Sequence, residues 1–192
     1  MPLKVLYIEW TGPYDFEDLE ELQDESCDYG VYQIYGMHPV YGEEVLLYLG
    51  QTDNRTFSAK LAQEKEYWDA EADFHPLSIY VGRLAGQMTP GDEVWGEEIG
   101  QAARLLIYAH VPVFNARDLG APPDEDLKEV HLVNWGTYLD LAPEVSGVRW
   151  LYKFVEMPHY NIINSFFNSA GSKLLHSNST VRFFCYMVPR RF

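Results

Sequence analysis

The sequence predicts an α+β fold, and three observations carry that expectation. Short runs with strand-like alternation stand apart from two longer segments whose apolar residues recur at helical spacing. A connection bearing Pro and Gly between two of the strand runs reads as a hairpin. Apolar residues make up 47% and aromatic residues 15% of 192 residues, which is ample material for a packed core.

The elements follow in order. Residues 3–9 (LKVLYIE) alternate as a strand, and 15–25 (DFEDLEELQDE) read as a short acidic helix with Phe16, Leu19 and Leu22 three apart. Two strands are expected at 30–36 (GVYQIYG) and 44–50 (EVLLYLG), joined by MHPVYGE. Residues 56–68 are expected to be helical, with Phe57, Leu61 and either Trp68 or Tyr67 facing a core, and a third strand follows at 77–84. A second helix should start near Thr89-Pro90 or Asp92, bury Val94, Ile99, Leu106 and Ile107 on one side, and end at Pro112. Residues 118–129 form an acidic, Pro-rich loop, and 129–135, 147–156 and 180–187 are strand candidates. The expected organisation is an N-terminal strand and acidic helix (1–28), a central domain (29–117) and a C-terminal β-rich extension (118–192). The central domain would hold a small mixed sheet, hairpin plus third strand, flanked by helices.

The charge narrows the function classes. Fourteen Lys and Arg face 29 Asp and Glu, for a net −15. A surface that coats nucleic acid is basic, because phosphate contacts need Lys and Arg, so on composition an extended DNA-coating face is not expected. The charge is also uneven: residues 1–144 hold 8 basic and 28 acidic side chains, whereas 145–192 hold 6 basic and only Glu156. An acidic surface favours solubility, and it also suits docking to a basic protein partner or mimicry of nucleic-acid charge. Cys27 and Cys185 set no disulfide framework and fit free thiols. With no signal-peptide pattern and no long apolar run, the expectation is a cytoplasmic protein without a membrane span.

Most chemical motifs are missing. The six histidines lie at least 17 residues apart, and there is no Cys-x-x-Cys pair, so the sequence offers no zinc site. Neither a phosphate-binding Gly loop nor a Gly-x-Ser-x-Gly elbow is present. What remains is a tyrosine hairpin: Gly30-Val31-Tyr32 in one strand, and Tyr48-Leu49-Gly50 followed by Gln51-Thr52 in the next. With the helix after it, the third strand and the later LLIYAHVPVFN segment, this resembles the GIY-YIG nuclease family over about residues 29–117.

The resemblance implies phosphodiester hydrolysis with one divalent cation, Mg2+ or another. Tyr32 would activate or position the attacking water, and Tyr48 would hold the water network and the scissile phosphate. An arginine on the first helix would stabilise charge on the phosphate, a glutamate on the second would bind the metal, and Asn115 would order the site. Three positions depart from that pattern. Lys60 stands where the arginine is expected and Glu64 where a His is frequent. Lys60 is therefore open to two readings, a catalytic cation or a surface residue paired to Glu64 at i, i+4. Arg55 is the other basic candidate. The glutamate position falls on Ala103, which has no metal ligand, while Glu97 and Glu98 sit off that helix face.

Either natural loss or a deliberate replacement that traps substrate would account for Ala103. On both accounts the chain should cleave poorly or not at all, and hold no metal well. Substrate contact is expected at Gly50, Gln51, Thr52, Arg55, Arg149, Lys153 and Arg182, as a local basic patch on duplex DNA. A homodimer is compatible with this pattern. The competing expectation is a non-catalytic binding module or inhibitor that keeps the fold and docks a basic protein through its acidic surface.

Overall fold

A computed structural model describes residues 3–71, 76–85, 93–116 and 125–148. All of these lie in the first of two units into which the chain divides, residues 1–152 and 153–192. The architecture of the described residues is mixed α+β: six strands in one sheet, with two helices. The strands are β1 (Lys4–Tyr14), β2 (Gly30–His38), β3 (Gly42–Thr52), β4 (Ser78–Leu84), β5 (Val130–Gly136) and β6 (Glu144–Ser146). Their spatial order is β3-β2-β4-β1-β5-β6. All neighbours run antiparallel except β1 and β5, which are parallel with Leu6 opposite Leu132.

The hairpin and third strand expected at 29–84 thus form one half of the sheet, with β2 in the middle of the three. The N-terminal strand does not stand apart from them. It pairs with β4 on one side and β5 on the other, so segments 1–28, 29–117 and the described part of 118–192 contribute to a single sheet. The acidic stretch at 15–25 forms a short 3-10 turn at Asp18–Leu22 rather than an α-helix. Its Leu19 and Leu22 still reach the core. Gly147 and Val148, the described residues of the expected strand 147–156, lie outside β6. The remainder of that strand and the one at 180–187 fall outside the described residues, as does the expected helix start at Thr89–Asp92.

Helix α1 (Phe57–Glu71) begins where Thr56 caps it, its Oγ1 accepting from the Ala59 amide at 3.4 Å. A helix of this length needs tertiary packing to persist. Phe57, Leu61 and Trp68 supply it, each burying a side chain worth about 1.5–3 kcal/mol of apolar transfer. Trp68 is the core residue, and Tyr67 beside it is exposed. These side chains meet Tyr32, Ile34, Ile79 and Val81 on one face of the sheet.

Helix α2 (Glu93–His110) covers the opposite face, with Trp95, Ile99, Leu106 and Ile107 packed against Val31, Tyr35, Leu49, Ile8 and Trp10. Val94, expected inside, is 60% exposed, and Trp95 takes its place. The helix stops at Val111, whose φ of 50° leaves the helical region, just before Pro112.

His110, in the last turn of α2, ties that helix to the loop before β6. Its Nδ1 lies 2.9 Å from the Leu106 carbonyl, while Nε2 accepts from the Ala142 amide at 2.8 Å. One nitrogen must donate and the other accept, so the ring is neutral. Burial accordingly holds its pKa below the usual histidine value. A pKa lowered on folding means that the unfolded chain binds the proton more readily. The contribution is full above the ordinary histidine pKa of about 6.5 and is lost as pH falls from there through the lowered folded value. Urea denaturation at pH 7.5 and 5.5 should show a loss of stability at the lower pH that is smaller in a His110→Gln chain. Equal losses in the two chains would remove His110 from this role.

Candidate functional site

The register of the hairpin places Tyr32 directly opposite Gly50, and the tyrosine ring lies over that glycine. A Cβ at Gly50 would collide with the Tyr32 ring and hydroxyl, so the second glycine of the tyrosine hairpin is a packing requirement. Tyr32 itself is fully buried beneath α1. Its hydroxyl donates to Glu64 Oε2 at 2.9 Å. The other Glu64 oxygen pairs with Lys60 Nζ at 2.8 Å, and the Trp68 indole N–H approaches Oε2 at 3.5 Å. The tyrosine hairpin and α1 therefore converge on one carboxylate.

Burial, followed by the charge of Glu64 and the neighbouring Tyr48, pushes the Tyr32 hydroxyl far above the ordinary tyrosine pKa. In this geometry its hydroxyl proton is engaged with Glu64. Tyr48, half-buried beside it with ring centroids 6.1 Å apart, is shifted upward as well, first by burial and then by Glu64. Tyr48 also packs on Trp68, at 5.5 Å between centroids.

On its other side Tyr48 lines a cleft of about 550 Å³ that follows the outer edge of β3. Gly50 and Gln51 continue that wall, Gly100, Ala103 and Arg104 of α2 form the facing one, and Phe114 and Asn115 close the end. Asn115 is the buried fastener here. Its Nδ2 donates to the Leu49 carbonyl at 2.9 Å, and its Oδ1 accepts from the Leu49 amide at 3.0 Å. The carboxamide thus imitates a neighbouring strand and satisfies the β3 edge at Leu49.

The residues singled out in the sequence fall into two adjoining groups that share Tyr48. Tyr32 and Lys60 sit with Glu64 under and along α1, while Gly50, Gln51, Ala103 and Asn115 surround the cleft. Thr52 is buried and spends its hydroxyl on the Arg55 carbonyl, which shapes the turn into α1. Arg55 is exposed and bound to Asn54 and to Gln63 at 2.6 Å, apart from both groups. Arg149, Lys153 and Arg182 lie outside the described residues, as does Cys185, whereas Cys27 is a free thiol.

A hard divalent cation takes oxygen ligands, usually including a carboxylate, and among the described residues no Asp or Glu lines the cleft. Asn115 has both amide atoms committed to Leu49. Glu97 is bonded to Gln101 at 3.2 Å, and Glu98 to Lys4 at 3.2 Å. Among the described residues no three His, Cys, Asp or Glu side chains are grouped to hold a metal. Nor is any helix among them long and apolar enough to cross a membrane.

Glu64 is the residue whose importance the sequence pattern understates. Phe57, Leu61, Glu64 and Trp68 follow helical spacing, so a carboxylate occupies one step of an otherwise apolar stripe. That break in the pattern is the signal that marks it.

The protein comparisons add no relative: no family model, no curated protein and no solved structure matches the chain.

Removing the Asn115 carboxamide would leave the Leu49 amide and carbonyl unpaired in a buried place. Asn115→Ala is expected to lower the unfolding free energy by about 2–3 kcal/mol in urea titrations. Asn115→Asp should also destabilise, because a carboxylate cannot donate to the Leu49 carbonyl. Near-native stability in both variants would show that the edge is satisfied without this side chain. Gly50→Ala should separately cost about 1–3 kcal/mol by overpacking against Tyr32, read as a fall in melting temperature.

Proposed function

We propose that this chain is a GIY-YIG-type nuclease domain that engages duplex DNA at the β3-edge cleft and cleaves it poorly or not at all. One observation carries the proposal. Segments far apart in sequence, the tyrosine hairpin, α1 and the α2–Asn115 stretch, meet around Tyr48, with Lys60 on one side and Ala103 on the other.

The chemistry follows from what each side chain can do. Tyr48 and the Gln51 amide side chain offer hydrogen-bond donors to a phosphate that enters the cleft. Lys60 brings a cation beside Tyr32, as a point charge rather than the planar fork of an arginine, and in this structure that charge is paired with Glu64. Tyr32, whose hydroxyl donates to Glu64, positions its neighbours. Divalent-metal chemistry in this family rests on a carboxylate facing the reacting phosphate, and the matching position, Ala103, has none. Ala103 is buried at the wall of the cleft, so a longer side chain there would have to reach out into the cleft. Binding without efficient turnover is the outcome this set of residues favours.

A second reading is an acidic binding module that docks a basic protein. It is favoured by the 28 acidic against 8 basic residues of 1–144 and by the neutralisation of Lys60 by Glu64.

Titration of labelled duplex DNA across salt concentrations separates the two. Binding that weakens steeply with salt is expected of the nuclease-type domain. Absence of binding even at low salt would sink that reading and leave the acidic module. In a plasmid-nicking assay with Mg2+, the chain with Ala103 should be inert and Ala103→Glu should gain cleavage. Clear metal-dependent nicking by the Ala103 chain would contradict its assignment as cleavage-deficient.

A further inference from the structure

The environment of Glu64 resembles a ligand site that is already filled. Its two carboxylate oxygens collect the Lys60 ammonium at 2.8 Å, the Tyr32 hydroxyl at 2.9 Å and the Trp68 indole N–H at 3.5 Å. Three donors of different kinds, one of them cationic, surround one anion. Lys60 precedes Glu64 in the helix, the weaker order for an i, i+4 pair, so helix stability alone is a poor reason for the arrangement. The carboxylate also interrupts the buried stripe of α1 and caps the hydroxyl of a tyrosine that is otherwise wholly enclosed.

Carboxylates and phosphates are gripped by the same charge-assisted donors. We propose that Glu64 is an internal stand-in for a phosphoryl oxyanion: Tyr32, Lys60 and Trp68 form a latent phosphate-binding subsite beside Tyr48, and Glu64 keeps it occupied. The proposal rests on the nuclease-type reading only for the source of the phosphate. Free phosphates and the DNA backbone share the chemistry, and a phosphate gains the subsite when the Glu64 side chain turns away. In the native state Lys60 is neutralised, so the subsite adds little to anion affinity.

The experiment compares the native chain with Glu64→Gln and Glu64→Ala, using inorganic pyrophosphate followed by tryptophan fluorescence and calorimetry. Glutamine keeps the shape of the cluster while releasing the Lys60 charge, and alanine covers the case in which the amide simply refills the site. At least one of the two should bind pyrophosphate about tenfold more tightly than the native chain, the scale of one charge-assisted hydrogen bond. The gain should vanish when Lys60→Ala is added. Glu66→Gln, which removes the same charge from an exposed position, should not reproduce it.

The inference is overturned if neither Glu64 variant gains affinity, if the gain survives Lys60→Ala, or if Glu66→Gln matches it. Duplex DNA forms the second arm, where the salt dependence of the improved variant should steepen by about one phosphate contact. Pyrophosphate gain in a protein that never binds DNA would uphold the subsite and defeat the nuclease-type reading. Native DNA binding with no pyrophosphate gain in either Glu64 variant would do the reverse.

Discussion

Strand β2 is covered on both faces, and this double burial governs what its residues can be. From Gly30 to Gly36 no side chain reaches solvent. Alternation sends Tyr32 and Ile34 toward α1, and Val31 and Tyr35 toward α2. A one-residue slip would exchange those sets and break both cores, so the hairpin register is strongly determined. The Tyr32–Gly50 stacking follows directly. With α1 pressed onto that face, the ring can lie flat only over a residue without a Cβ.

The two helices then divide the labour. Helix α1 is fastened by Phe57, Leu61 and Trp68 and brings charge to the tyrosine hairpin through Lys60 and Glu64. Helix α2 is fastened by its apolar side but presents Gly100 and Ala103 toward the β3 edge, and small residues there leave the cleft open. Asn115 allows β3 to end as an edge without an unpaired amide and carbonyl at Leu49. The cleft lies beside that bond, its wall continued by Gly50 and Gln51.

Electrostatically, the average charge says less than its arrangement. The chain carries a net −15, and among the described residues several basic side chains are spent on ion pairs: Lys60 with Glu64, Arg83 with Asp28 at 2.6 Å, and Arg104 with Asp126 at 2.5 Å. Arg83 is the most structural of these. It bridges buried Asp28 and Thr11, tying the start of β2 to strand β1. For an anion approaching α1, the local state of the Lys60–Glu64 pair matters more than the total charge.

Clean periodicity makes an element legible in the chain: the hairpin, α1, β4, most of α2 and β5 all lie close to their expected residues. The i, i+4 pairing of Lys60 and Glu64 is equally legible, because helix geometry alone brings them together. Less regular signals mislead for identifiable reasons. Leu19 and Leu22 are spaced as well for a 3-10 turn as for a short helix. Val94 and Trp95 compete for the same inward direction, and the larger ring wins the buried position. Sequence by itself determined which residues could form strands and helices, where the tyrosine hairpin lies, and that position 103 carries no metal ligand. Only the tertiary structure decided that β1 sits between β4 and β5, since strand pairing across more than a hundred residues leaves no local trace. It also decided that the Tyr32 hydroxyl is spent on Glu64. Those two residues are far apart in the chain and meet because helix and sheet pack at one distance, set by the side chains between them.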